Sequence, residues 1–144
     1  MMLLGEFRCS TDGEGRLTIP SAFRAAFAEG GTVTRGIERC LLVYPAAEWE
    51  DLAQKIRVLP FTSQPARTFA RFIFSGATAC VPDQAGHLPL SDQLRRYARI
   101  EDEAIVVGLV SHLEIWCPGR WQKTKRTFVE DGAALAERLT EFAV

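Results

Sequence analysis

The stretch Asp12-Gly13-Glu14-Gly15-Arg16-Leu17-Thr18-Ile19-Pro20 indicates the fold, because a related stretch, Asp83-Gln84-Ala85-Gly86-His87-Leu88-Pro89-Leu90, occurs 71 residues later. Each stretch has an aspartate followed three residues later by a glycine. Such a pair favours a tight turn, since the aspartate side chain accepts backbone hydrogen bonds and glycine reaches positive φ. Four residues are therefore expected to order the two turns: Asp12, Gly15, Asp83 and Gly86.

The similarity between the two parts of the chain continues beyond the turns. With an offset of 72 residues, corresponding positions are Gly36 with Gly108, Leu41–Tyr44 with Leu113–Trp116, and Trp49 with Trp121. Matching glycines, an aspartate and a tryptophan in the same order across about 45 residues indicate a duplicated unit.

Each copy predicts the same series of elements. Two short strands flank the turn: Glu6–Ser10 and Arg16–Ile19 in the first copy, Ala77–Val81 and His87–Leu90 in the second. A helix then begins at Pro20-Ser21 or at Ser91. Two further strands follow: Thr32–Thr34 and Cys40–Tyr44, or Ala104–Val110 and Leu113–Cys117. A longer amphipathic helix begins near Ala46 or Gly119.

The predicted fold class is α+β and rich in β-structure, with two tandem units and flanking helices. A first repeat spans residues 1–60, and a connecting helix spans residues 61–75. A second repeat spans residues 76–131, and a C-terminal helix spans residues 132–144.

The composition is that of an ordinary globular protein, because 47% of the 144 residues are hydrophobic and 24% are charged. No apolar run approaches the ~18 residues that a membrane span needs. The N-terminal stretch Met1-Met2-Leu3-Leu4 lacks the basic flank and the longer apolar run of a signal peptide. We therefore expect a cytoplasmic protein with no membrane partner.

The cysteines and histidines do not match the spacing of a structural zinc site. Cys9, Cys40, Cys80 and Cys117 form no C-x-x-C pair, and the two histidines lie far apart in the sequence. The chain also lacks the phosphate-binding motifs G-x-x-x-x-G-K-[ST] and G-x-G-x-x-G. We expect no metal, no cofactor and no small-molecule substrate.

An enzyme is the first alternative considered. Asp12 and Asp83 could act as a carboxylate pair if the internal symmetry brings the two turns together. Each aspartate, however, already has a sufficient role in its turn. The prediction is therefore that the protein is not an enzyme.

The formal net charge of −1 is unusual for a protein that binds nucleic acid, because contacts with phosphate supply much of the affinity. A basic surface on this chain must therefore be local, or several subunits must assemble it.

The chain resembles the MraZ family in several separated motifs. These are Gly5-Glu6-Phe7, Asp12-x-x-Gly15-Arg16-Leu17-Thr18-Ile19-Pro20, Leu41-Leu42-Val43-Tyr44-Pro45-x-x-Glu48-Trp49 and the weaker Asp83-x-x-Gly86. The resemblance implies two fused AbrB-type swapped-hairpin β-barrel units in one chain. It also implies a nucleoid-associated transcriptional regulator that binds double-stranded DNA at promoter repeats upstream of the division and cell-wall gene cluster. A homo-oligomeric ring is implied as well.

Two positions depart from the family pattern. Glu14 stands where the family turn has lysine, and His87 stands where the second turn has arginine. Both changes remove positive charge from the expected DNA-binding surface. A ring-forming member with weakened DNA binding, acting as an interaction scaffold, is therefore the main alternative. An antitoxin is a further alternative, because AbrB-like units occur in antitoxins too.

The candidate DNA-binding residues follow from these motifs. Arg16 is the first candidate, since a guanidinium after a tight turn can contact phosphate or guanine; its alternative role is to pair with Asp12. His87 would regain positive charge near pH 6. The resemblance implies the same role for Arg24 and Arg95, and Arg96 lies next to Arg95; a solvated helix face is the alternative for these three. Arg8, on the first strand, could reach phosphate, but covering the sheet edge is the favoured interpretation.

Overall fold

The computed structural model describes residues 2–142, and its elements follow the two copies. The strands are β1 (Leu3–Ser10), β2 (Arg16–Thr18), β3 (Gly31–Arg35), β4 (Leu41–Pro45), β5 (Thr78–Cys80), β6 (His87–Pro89), β7 (Glu103–Val110) and β8 (Leu113–Trp116). The helices are α1 (Ser21–Arg24), α2 (Ala46–Arg57), α3 (Gln64–Ser75), α4 (Asp92–Ala98), α5 (Pro118–Glu130) and α6 (Gly132–Arg138). Single 3-10 turns cover Ala25–Phe27 and Thr140–Phe142.

The predicted α+β, β-rich fold class is confirmed, with small differences at the ends of elements. The helix predicted after Pro20 is divided into the four-residue α1 and the 3-10 turn that follows it. Met1 of the predicted first repeat and residues 143–144 of the predicted C-terminal helix lie outside the described residues.

Strands of one copy complete the sheet of the other. β1 pairs with β7 along its whole length, from Leu3 opposite Val110 to Ser10 opposite Glu103. In return, β5 pairs with β3, with Cys80 opposite Gly31. β4 pairs with β8, and β2 pairs with β6 in a separate ribbon. Among the strands of residues 2–142, the hairpins β3–β4 and β7–β8 join strands of the same copy, and an isolated bridge pairs Thr11 with Leu17. The two copies therefore fold as one unit.

The larger sheet is open. Its strand order is β1-β7-β8-β4-β3-β5, so that β1 and β5 are its two edges, and all its strand pairs are antiparallel. The predicted barrel is therefore not confirmed by the strand pairing, because the sheet does not close on itself.

The main core lies between one face of this sheet and the β2/β6 ribbon. Leu17 and Leu88, at the centre of the ribbon, are fully buried and lie opposite each other. Successive residues of a strand point to opposite faces, so the other face of β7 contributes Ile105 and Val107 to a second, smaller cluster with Trp121 of α5. The ribbon that carries both turns is thus anchored by the main core.

The helix starts have identifiable caps. The Ser63 hydroxyl accepts a hydrogen bond from the Ala66 N–H at 3.3 Å, and the Ser91 hydroxyl accepts one from the Leu94 N–H at 3.2 Å. α4 ends at Arg99, which has the left-handed φ of 56°. Within residues 2–142, no helix is long and apolar enough to cross a membrane.

Candidate nucleic-acid interface

The two turns have the same hydrogen bonds. Asp12 Oδ1 accepts from the backbone N–H groups of Glu14 and Arg16, both at 2.9 Å. Asp83 Oδ1 accepts in the same way from Ala85 and His87, again at 2.9 Å. These hydrogen bonds lower the pKa of both carboxyl groups. The largest effect comes from the backbone N–H of Arg16 on Asp12 and from that of His87 on Asp83. Both aspartates are therefore held in the ionised, acceptor-only form.

The glycine of each turn contacts an arginine of the other copy. Gly15 and Gly86 have φ of 76° and 82°, which favour glycine. A Cβ on Gly15 would lie 2.6 Å from Arg95 Cζ, and a Cβ on Gly86 would lie 2.2 Å from Arg24 Nε. A Cβ at either position would displace the end of the arginine side chain, so the positive φ favours glycine and the close contact adds to that preference.

Backbone hydrogen bonds repeat this exchange. Ile19 N–H donates to the Gly86 carbonyl at 2.9 Å, and Leu90 N–H donates to the Gly15 carbonyl at 3.3 Å. The two arginine side chains also make matching hydrogen bonds. Arg24 Nε donates to the Ile19 carbonyl and Arg95 Nε donates to the Leu90 carbonyl, both at 3.3 Å. Each turn is thus held by the strand and helix that follow the opposite turn.

Arg16 is paired within its own turn. Its Nε donates to Asp12 Oδ2 at 2.7 Å and lies 3.6 Å from Glu14 Oε2. The pKa of Arg16 is raised, first by the hydrogen bond to Asp12, with a smaller contribution from Asp83 of the other turn. The alternative role of Arg16 as a partner of Asp12 is therefore present in the structure.

His87 takes the same place in the second turn. Its Nδ1 lies 2.9 Å from Asp83 Oδ2, which matches the pairing of Arg16 with Asp12. His87 also lies opposite Thr18 in the β2/β6 ribbon. The structure therefore brings both turns, with one basic residue each, to a single two-stranded element.

The remaining candidates lie in two grooves. Arg8 and Arg24 line a groove of about 430 Å³, and Arg8 forms an ion pair with Glu103 at 2.9 Å. Arg95 and Arg96 line another groove, of about 390 Å³, in which Arg95 is paired with Asp92. From the sequence, Arg24 was expected to lie early in a longer helix. In the structure it is the last residue of the short α1.

Arg99 was not among the residues predicted from the sequence. This exposed arginine follows α4 and lines the same groove as Arg95 and Arg96. Its spacing of three and four residues from those arginines was the available signal, since such positions share one side of a helix.

Within residues 2–142, no three histidine, cysteine or acidic side chains come together in a group that could hold a metal ion. The acidic residues nearest to the candidate arginines instead form the pairs with single arginines described above.

Comparison with known proteins identifies the family. Residues 2–72 and 73–142 each match the family model described as "MraZ protein, putative antitoxin-like". The protein named transcriptional regulator MraZ of Moorella thermoacetica is 42% identical over 143 residues, which are 99% of this chain and 100% of that protein. The protein of the same name from Herpetosiphon aurantiacus is also 42% identical over 143 residues, with the same shares of both chains. The one from Thermomicrobium roseum is 44% identical over 138 residues, which are 96% of this chain and 97% of that protein. The chain therefore belongs to the MraZ family of transcriptional regulators.

Proposed function

We propose that this protein regulates transcription by binding double-stranded DNA through the two turns and the arginines packed on them. The observation that carries this proposal is the reciprocal arrangement of the turns, which gathers four basic side chains around one ribbon: Arg16, His87, Arg24 and Arg95. Arg96 and Arg8 extend this surface along the two grooves. Guanidinium groups fixed in this way can bind phosphate or guanine bidentately.

We further propose that the target is a set of promoter repeats upstream of the division and cell-wall gene cluster, which the family resemblance implies. The protein would then be cytoplasmic and associated with the nucleoid. The exchange of β1 and β5 between copies supports an AbrB-type swapped-hairpin architecture. In it, segments 1–60 and 76–131 are the repeats, and segments 61–75 and 132–144 are helical additions.

A homo-oligomeric ring is also part of the proposal. Large apolar side chains are exposed at the corner after α2, where Phe61 is 81% exposed, and after α6, where Phe142 is 66% exposed. Apolar side chains at separate places on one chain suit head-to-tail contacts between copies. A ring would place many copies of one local basic surface side by side, which offsets the net charge of −1.

No catalytic role is proposed for Asp12 and Asp83. A general acid must hold a proton near neutral pH, whereas both carboxyl groups have a lowered pKa. Each carboxylate also accepts three hydrogen bonds from its own turn.

The test of DNA binding is fluorescence anisotropy with the duplex upstream of the protein's own gene and a shuffled duplex, at several salt concentrations. We expect tighter binding to the first duplex, weakening as salt rises, and a loss of about tenfold or more for Arg16→Ala. Arg71→Ala is the matched control, because Arg71 is an exposed arginine on α3. Equal binding to both duplexes that is insensitive to Arg16→Ala would contradict the proposal.

Two observations favour the scaffold as a second candidate: Glu14 lies 3.6 Å from Arg16, and His87 replaces an arginine. His87→Arg distinguishes the two candidates. For a DNA-binding turn, we expect this variant to bind DNA more tightly than the parent, because it adds a guanidinium at the second turn. If the substitution leaves the affinity unchanged, the second turn makes no DNA contact.

A further inference from the structure

A filled site lies between α5 of the second copy and β1, the strand that the first copy contributes. Trp121 Nε1 donates to Glu6 Oε2 at 2.8 Å, and Lys125 Nζ lies 2.6 Å from Glu6 Oε1. The hydrogen bond from Lys125, followed by that from Trp121, lowers the pKa of Glu6. A carboxylate and an ammonium group in direct contact therefore occupy the space beside the Trp121 indole.

The first copy has the same framework without this pair. Trp49 on α2 corresponds to Trp121 on α5. The strand β5 corresponds to β1, because Cys80 lies opposite the start of β3 and Cys9 lies opposite the start of β7. The equivalent places around α2 hold only alanines: Ala77 for Glu6 and Ala79 for Arg8 near β5, and Ala53 for Lys125 on α2. Three long charged side chains are thus replaced by methyl groups.

An open cavity of about 500 Å³ lies beside two of these alanines, Ala53 and Ala79. Trp49, Ala53 and Ala79 line it, between α2 and the edge of the sheet at β5. Its volume is in the range of binding sites for small molecules. Hydrogen bonds from the Trp49 indole are absent among residues 2–142, whereas its counterpart Trp121 donates to Glu6.

The polar lining of the cavity carries both signs of charge. Arg57 lies one helical turn beyond Ala53, and Glu50 lies three residues before it, so all three share one side of α2. Glu29 faces the cavity from the segment before β3. An anionic group can therefore pair with Arg57, and a cationic group can pair with Glu29 or Glu50.

We propose that this cavity binds a small zwitterion of amino-acid size, with a carboxylate and an ammonium group close together and a short apolar side chain. The carboxylate accepts a hydrogen bond from the Trp49 indole, which lines the cavity, as Glu6 does from Trp121. The ammonium group takes the place of Lys125, and the apolar side chain lies on the alanines. This site is separate from the turns and does not depend on DNA binding.

The test is calorimetric titration of the full chain with L-leucine, together with tryptophan fluorescence. 4-Methylpentanoate lacks only the amino group of leucine, and isopentylamine lacks only its carboxylate. We expect saturable binding of leucine, and binding about tenfold or more weaker for each truncated molecule, because each loses one charged hydrogen bond. Failure of leucine to bind at millimolar concentration, or equal binding of either truncated molecule, would overturn the proposal.

A pair of substitutions tests the location. Ala53→Lys together with Ala77→Glu transfers the carboxylate and ammonium pair of the second copy into the first, so this variant should fold as the parent does and lose leucine binding. Ala47→Lys, at an exposed position of α2, is the matched control and should bind as the parent does. Urea unfolding and circular dichroism monitor the fold of both variants. Unchanged leucine binding by the folded double variant would place the ligand elsewhere and refute the proposal.

Discussion

Gly15 and Gly86 show how single residues connect the two copies. Each has a positive φ, and each lies against the guanidinium of an arginine from the opposite copy. The side chain that stabilises one turn is therefore encoded beside the other turn.

Gly15→Ala should lower the free energy of unfolding by about 2 kcal/mol or more, because left-handed φ alone costs a residue with Cβ about 1–2 kcal/mol and the new methyl group would also displace Arg95. Gly13→Ala is the control in the same turn, since a Cβ there meets open space and Gly13 has no positive φ. Urea unfolding measures both variants. A similar loss in both variants would contradict the expected cost of the positive φ together with that of displacing Arg95.

Asp12→Asn should change how stability depends on pH. The folded-state pKa of Asp12 is lowered, so its charge stabilises the fold above the unfolded pKa of ~3.9, and this contribution is lost as the pH falls through the folded value. The variant should be less stable than the parent at pH 7, and the difference should shrink towards pH 3. Urea midpoints at several pH values measure it. Asp83→Asn should behave in the same way, and a difference that is constant with pH would contradict the expected linkage.

At the scale of elements, α5 is attached to the sheet by Trp121 and Lys125, which both contact Glu6 on β1. The equivalent helix α2 lacks such a link, since alanines stand at the corresponding positions. The two copies therefore provide their own comparison of the same helix with and without a polar contact.

Trp121→Phe removes the indole N–H and should lower the free energy of unfolding by about 1 kcal/mol more than Trp49→Phe does, because one hydrogen bond to a carboxylate is lost. Because Trp121 is buried and Trp49 is only half-buried, a double-mutant cycle of Trp121→Phe with Glu6→Ala separates the hydrogen bond from the difference in packing. Thermal or urea unfolding gives the two values. Equal destabilisation would mean that the contact between Glu6 and Trp121 contributes little to stability.

Local sequence patterns predicted most elements, because turns, caps and amphipathic stripes depend on residues close in sequence. The Asp12 and Asp83 turns and the helix that begins near Ala46 illustrate this. The exchange of β1 and β5 could not be derived from the residues, since strand alternation specifies a buried face but no partner. The contacts of Arg24 with Gly86 and of Arg95 with Gly15 could not be predicted for the same reason, and the duplication was the one sequence feature that indicated a symmetric arrangement.

For the whole molecule, exchange of strands means that neither half has a complete sheet. Residues 1–75 contain β1 without β7, and residues 76–144 contain β5 without β3. We expect neither half to have a folded monomeric state when it is expressed alone, and we expect an equimolar mixture to form a folded complex. Circular dichroism and size-exclusion chromatography with light scattering measure this. A monomeric half with cooperative unfolding would contradict the expectation.

The duplication within one chain also gives the molecule a direction. A homodimer must present the same turn twice, and it therefore suits a palindromic site. Here the two turns differ, with Glu14 and Arg16 in one and Ala85 and His87 in the other. Each molecule would consequently present two different turns to a duplex. Successive molecules along the DNA would then have the same orientation, which favours direct repeats over inverted repeats.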